Sequence, residues 1–103
     1  MFNIIPMTEK YIDDVAHIEE SCFHVPWTKN DFEKEIKENK MAIYYVAVDE
    51  NGNAVGYAGM WHVVTEGHIT NVAVLEQYRG NGIGDMLMEA LEKKEGKSKL
   101  NED

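Results

Sequence analysis

The sequence predicts an α+β fold, a layered α/β-sandwich-like arrangement in which about three helices pack on a largely antiparallel four-stranded sheet. Two observations predict it. Residues 41–75 alternate β-branched and aromatic runs with clusters of turn-forming residues, the pattern of strands joined by short connections. Residues 8–36 and 82–95 instead repeat apolar side chains every three or four positions, the period of a helix packed along one face. With 103 residues, 44% hydrophobic and 28% charged, the chain has the makeup of one compact domain with one core.

Taken in order, residues 2–6 read as a short strand. Thr8 then offers an N-cap, and Ile12, Val15, Ile18 and Cys22 recur at helical spacing, so a first helix is expected to end near Phe23. Pro26 prevents its continuation and biases Val25 toward extended geometry. Thr28 and Asp31 have the spacing of a capping box, and Trp27 is placed to pack on Phe32 as a hydrophobic staple, which starts a second helix carrying Ile36. Residues 41–48 and 54–64 form a hairpin around Asp49, Gly52 and Asn53, and Thr65 to Gly67 is a second turn signal before a strand over 68–75. From Gly82 the period changes. Ile83, Met86, Leu87, Ala90 and Leu91 share one face of a helix expected to reach Glu95, with Gly96 as its cap and residues 97–103 as a frayed polar tail.

A formal net charge of −9 argues against nucleic-acid binding, which needs a basic face to neutralise phosphates. The lysines between 93 and 99 alternate with Glu92 and Glu95 and read as a solvated helix end. Cys22, the single cysteine, has no partner for an internal disulfide; on the apolar face of the first helix it reads as a small core residue rather than a nucleophile. The N-terminal residues lack the apolar core of a signal peptide and no apolar run approaches membrane-spanning length, so a cytoplasmic location is expected by elimination. His17, His24 and His62 have no spacing that suggests a metal cage, so no metal is expected.

The chemically informative unit is a strand, a glycine-rich turn and a helix: Asn71-Val-Ala-Val74 leading to Arg79-Gly-Asn-Gly82-Ile-Gly84. A helix N-terminus leaves backbone N–H groups unpaired and carries partial positive charge, which suits a phosphate-bearing ligand. Glycines at 80, 82 and 84 let the backbone approach an anion closely, and Arg79 adds a formal charge. The plainer alternative is that the glycines only make a tight turn. The dinucleotide fingerprint does not apply, since it requires a different glycine order within a parallel βαβ unit.

Arg79-x-x-Gly82-x-Gly84, with the strand His68 to Val74 before it, resembles the Q/R-x-x-G-x-G/A pyrophosphate loop of the GNAT acetyltransferases. The segment from Ile18 to Phe23, followed by Pro26-Trp27-Thr28, is similar to the ribosomal-protein alanine branch of that family. The resemblance spans residues 2–95, a partial GNAT domain, and leaves 96–103 as tail. It implies acetyl-CoA as cosubstrate, with the backbone of Val72, Ala73 and Val74 pairing with its pantetheine arm and acetyl carbonyl. Arg79, Gly80, Asn81, Gly82, Ile83 and Gly84 would then surround its pyrophosphate. It also implies that the acceptor is the α-amino group of a protein N-terminus, with Phe23, Pro26 and Trp27 beside it, although the staple already explains Trp27.

Family members continue past this helix through a strand carrying a glutamate base and a helix carrying a tyrosine acid, and no residue here matches either. Some branches place a base where Glu66 and His68 fall, and these are the catalytic candidates; a water-exposed hairpin end is the alternative. In the family the strand corresponding to 68–75 has a neighbour on each side. As an apolar edge it would invite pairing, which predicts a homo-oligomer. The competing function is a non-catalytic acyl-CoA-binding or protein-pairing module, or an inactive fragment.

Overall fold

The computed structural model describes residues 1–63 and 66–100, with residues 63, 66–70 and 95–100 described through their backbone alone. Four strands, β1 (Asn3–Pro6), β2 (Ala42–Val48), β3 (Ala54–Val63) and β4 (Glu66–Val74), form one antiparallel sheet in chain order. The helices are α1 (Ile12–Cys22), α2 (Lys29–Glu38) and α3 (Ile83–Leu100), in agreement with the α+β fold and three helices expected. Among the described strands β4 has a single neighbour, β3.

Alternation along the strands splits the core into two layers. Val46 and Val48 belong to the cluster that buries Val15, Ile18 and Phe32 of α1 and α2, whereas Ala47 between them packs with Leu87 and Leu91 of α3. Tyr57 and Ala58 divide in the same way. Successive side chains of a strand point to opposite faces, so α1 and α2 cover one face of the sheet and α3 the other.

Local chemistry sets the boundaries. The Thr28 hydroxyl accepts from Asp31 N at 3.2 Å and Asp31 Oδ2 accepts from Thr28 N at 2.9 Å, the reciprocal capping box that starts α2. Trp27 and Phe32 complete the staple, with ring centroids 5.3 Å apart. Asp49 Oδ1 accepts from Asn51 N at 2.9 Å and Asn53 N at 3.0 Å, which folds the β2–β3 turn around Gly52 at φ 84°.

Three boundaries differ from those expected. Thr8 precedes a short 3₁₀ turn over Glu9–Tyr11 and makes no side-chain cap; α1 begins only at Ile12, after the chain has tightened to bury Tyr11. β4 begins at Glu66, inside the predicted turn, and its pairing with β3 slips between Gly59↔Asn71 and Met60↔Ile69, a bulge that leaves Thr70 without an opposite residue. α3 runs through Gly96 to Leu100 instead of stopping there. One glycine costs a helix only about 1 kcal/mol, and the lysines and glutamates around it are good helix formers.

Candidate functional site

The site grows from the end of β4. Leu75 N donates to Val55 O at 2.9 Å, after which a 3₁₀ turn over Glu76–Tyr78 reverses the chain. Gly80 and Gly82 then adopt φ of 89° and 76°, the left-handed region in which a side chain is strained. Asn81 fastens the loop, its side-chain amide donating to Tyr78 O at 2.8 Å. Met86 N donates to Gly82 O at 3.0 Å and so closes the first turn of α3. The amides of residues 82–85 therefore have no acceptor within the helix and form an N-terminal anion seat.

A tight turn alone accounts for Gly80 and Gly82 but not for Gly84. Gly84 sits inside the helix without positive φ, and a Cβ there would meet nothing within 4 Å. Alanine would favour the helix by about 1 kcal/mol. The space over Gly84 is thus open, and glycine there costs helix stability without relieving backbone strain or crowding.

The loop forms one wall of a cleft of about 550 Å³ whose lining also includes Cys22 and Phe23 from the end of α1, Val72, Ala73 and Val74 from β4, and Asp85. The cleft thus gathers Val72, Ala73, Val74, Arg79, Gly80, Gly82, Ile83 and Gly84 in one place. Asn81 is in the same loop, bound to its backbone. Arg79 is not a free-standing cation: its Nε donates to Val74 O at 3.0 Å and its Nη2 lies 3.6 Å from Cys22 Sγ. Cys22 is half-buried on the cleft wall, its thiol also 3.6 Å from Val74 O, and not enclosed in the core.

The three acceptor candidates separate. Phe23 lines this cleft and is 40% exposed. Trp27 lines a second groove, beside Asp31, Lys34, Glu35 and Glu38, and Pro26, half-buried, lies between the two in sequence. Glu66 and His68 belong to β4 by their backbone, with Glu66 opposite Val63 and His68 opposite Trp61. Their side chains lie outside the described residues. Among the described residues no group of three or more His, Cys, Asp or Glu is placed to hold a metal.

Sequence reasoning missed two buried glutamates. Glu19, 3% exposed, accepts from the Tyr57 hydroxyl and, at 3.0 Å, from Trp27 N. Glu35 accepts from Tyr44 Oη at 3.0 Å, from Asn39 Nδ2 at 3.2 Å and from the Trp61 indole. Burial pushes the Tyr57 phenol far above its ordinary value and the Glu19 carboxylate pushes the same way; a hydrogen bond with the Asn71 side chain opposes both. The available signal was position. Glu19 follows Val15 by four residues and Glu35 follows Phe32 by three, so both fall on buried helix faces.

Comparison with known proteins shows the family and the fold. The model of the acetyltransferase (GNAT) family matches residues 12–101. A Bacillus subtilis (strain 168) protein, provisionally named a ribosomal protein bS18-alanine N-acetyltransferase, is 42% identical over 76 residues, covering 74% of this chain and 50% of its own. Among solved structures, the ribosomal-protein-S18-alanine N-acetyltransferase of Escherichia coli superposes with a TM-score of 0.81 at 24% identity, over 94% of this chain and 61% of the other. The PaiA N-acetyltransferase of Thermoplasma acidophilum, in complex with coenzyme A, reaches 0.83 at 12% identity over 94% and 73%. At these identities the structural likeness concerns the fold. This chain spans half the length of the Bacillus relative, and over that span, by family model and by identity, it belongs to the GNAT acetyltransferase family.

Proposed function

We propose that this chain is the acetyl-CoA-binding part of an N-acetyltransferase acting on the α-amino group of a protein N-terminus, of the ribosomal-protein alanine type. The carrying observation is the cleft in which the free amides of α3, the uncovered Gly84 and the end of β4 meet. The PaiA relative in complex with coenzyme A supports the same ligand. Acetyl-CoA would supply the acetyl thioester. The amides of residues 82–85 would hold its diphosphate, the backbone of Val72 to Val74 would line its arm, and Phe23 would stand on the acceptor side.

Transfer further needs a group that takes the proton from the acceptor ammonium, so that the amine attacks the thioester carbonyl, and one that returns a proton to the departing thiolate. Glu66 and His68 remain the proposed pair for this work. The test is mass spectrometry of a peptide with N-terminal alanine after incubation with the protein and acetyl-CoA. A single acetyl group on the α-amine is expected. Cofactor binding without transfer favours the second reading, a non-catalytic acyl-CoA-binding module. That reading is supported by the cleft itself, whose described lining offers Asp85 as its only carboxylate and Tyr78 as its only phenol.

Among the described residues β4 pairs with β3 alone, and we propose that two copies of the chain associate along its other side. Light scattering is then expected to show a dimer or larger species, and a monodisperse monomer contradicts it.

A further inference from the structure

We infer that Glu19 is the positioning residue that holds the acceptor-side wall of the cleft against the cofactor strand. The inference rests on the reading of the cleft as an acyl-CoA and acceptor site.

Glu19 grips the segment after α1 at both ends. Its backbone carbonyl accepts from Phe23 N at 3.0 Å, and its side chain accepts from Trp27 N at 3.0 Å. Between these anchors Phe23 and Val25 are exposed, Val25 at 88%, so this stretch has little burial of its own to fix it. Phe23 is the part of it that reaches the cleft.

The other carboxylate oxygen of Glu19 takes the hydroxyl of Tyr57, which is fully buried on β3 and opposite Ala73 of β4. The side chain of Asn71, the residue just before Val72 on the cofactor strand, also acts on the Tyr57 phenol. Glu19 therefore ties the backbone of Trp27 to β3, at the residue opposite Ala73 of β4. The backbone N–H of Trp27 can only donate and the Tyr57 hydroxyl donates to the other oxygen, so a carboxylate, which only accepts, matches both. Buried hydrogen bonds to a charged group are individually stronger than neutral ones and hold a loop in one arrangement. Cofactor contacts made by β4 alone do not need this tie, whereas simultaneous engagement of the acceptor does.

The test compares Glu19→Gln and Tyr57→Phe with the unaltered protein, titrated calorimetrically with CoA and with a bisubstrate in which CoA is joined to an alanine-initiated peptide. Tyr57→Phe keeps the ring packing, so the test survives if Glu19→Gln fails to fold. For the unaltered protein the bisubstrate is expected to bind at least tenfold more tightly than CoA. In the variants CoA affinity should stay within twofold while that tenfold advantage is lost. Equal losses for both ligands would reduce Glu19 to a structural role, and an undiminished advantage in either folded variant would equally overturn the inference. Absence of CoA binding by the unaltered protein would instead defeat the cofactor reading on which it rests.

Discussion

The two faces of the sheet are built from different materials. Behind it, α3 packs Ile83, Leu87 and Leu91 on Ala47, Val55, Ala58 and Met60, an aliphatic layer whose buried members are all apolar. In front, α1 and α2, the latter through Phe32, pack on the aromatic rings of Tyr44 and Tyr57 and bring two carboxylates with them, Glu19 and Glu35. Tyr44 fits only because Gly59 lies beneath it, where a Cβ would come within 2.4 Å of the ring. The aliphatic face holds the fold together by area removed from water. The polar face adds direction, because each carboxylate fixes specific partners on other elements.

That contrast predicts how each face fails. The largest effect is expected at Leu87, which is fully buried: Leu87→Ala should cost about 2–5 kcal/mol in denaturant unfolding. Its replacement by methionine, similar in volume, should cost less than about 1.5 kcal/mol, since that layer needs only bulk. Glu35→Ala should cost about 1–3 kcal/mol by removing the acceptor of Tyr44, Asn39 and Trp61, and the altered near-ultraviolet dichroism of Trp61 should report it. The smallest effect concerns pH. Folding raises the Tyr57 pKa above the ordinary phenol value of about 10, so the folded state binds the proton more tightly than the unfolded one. The contribution is complete below about pH 10 and declines as pH rises beyond it. Tyr57→Phe should flatten the alkaline fall in melting temperature; an unchanged slope would mean that Tyr57 does not cause it.

The same contrast explains what was legible in the residues. Ile83, Met86, Leu87 and Leu91 announce their helix because an aliphatic layer is encoded by period alone, and the Thr28–Asp31 cap and the Asp49–Gly52 turn are local chemistry, complete within a few residues. The glycine loop was legible for the same reason. Glu19 and Glu35 were not, because a glutamate on a helix looks solvated until Tyr57 and Tyr44, brought from distant strands, are seen opposite it. The hydrogen bond of Arg79 Nε to Val74 O was not legible either, since that acceptor stands beside Arg79 only once β4 has ended there. Gly82→Val would strain the backbone at φ 76° and confuse folding with binding.

Gly84 gives the cleaner probe, because its backbone is helical and a side chain there meets only open space. Valine and glycine differ by only a few tenths of a kcal/mol in helix preference, so Gly84→Val should melt like the unaltered protein. Calorimetric titration with CoA then tests the cleft directly. Micromolar-range binding by the unaltered protein and at least a tenfold loss in Gly84→Val are predicted; equal affinity in the two proteins would contradict the placement of the diphosphate at the N-terminus of α3.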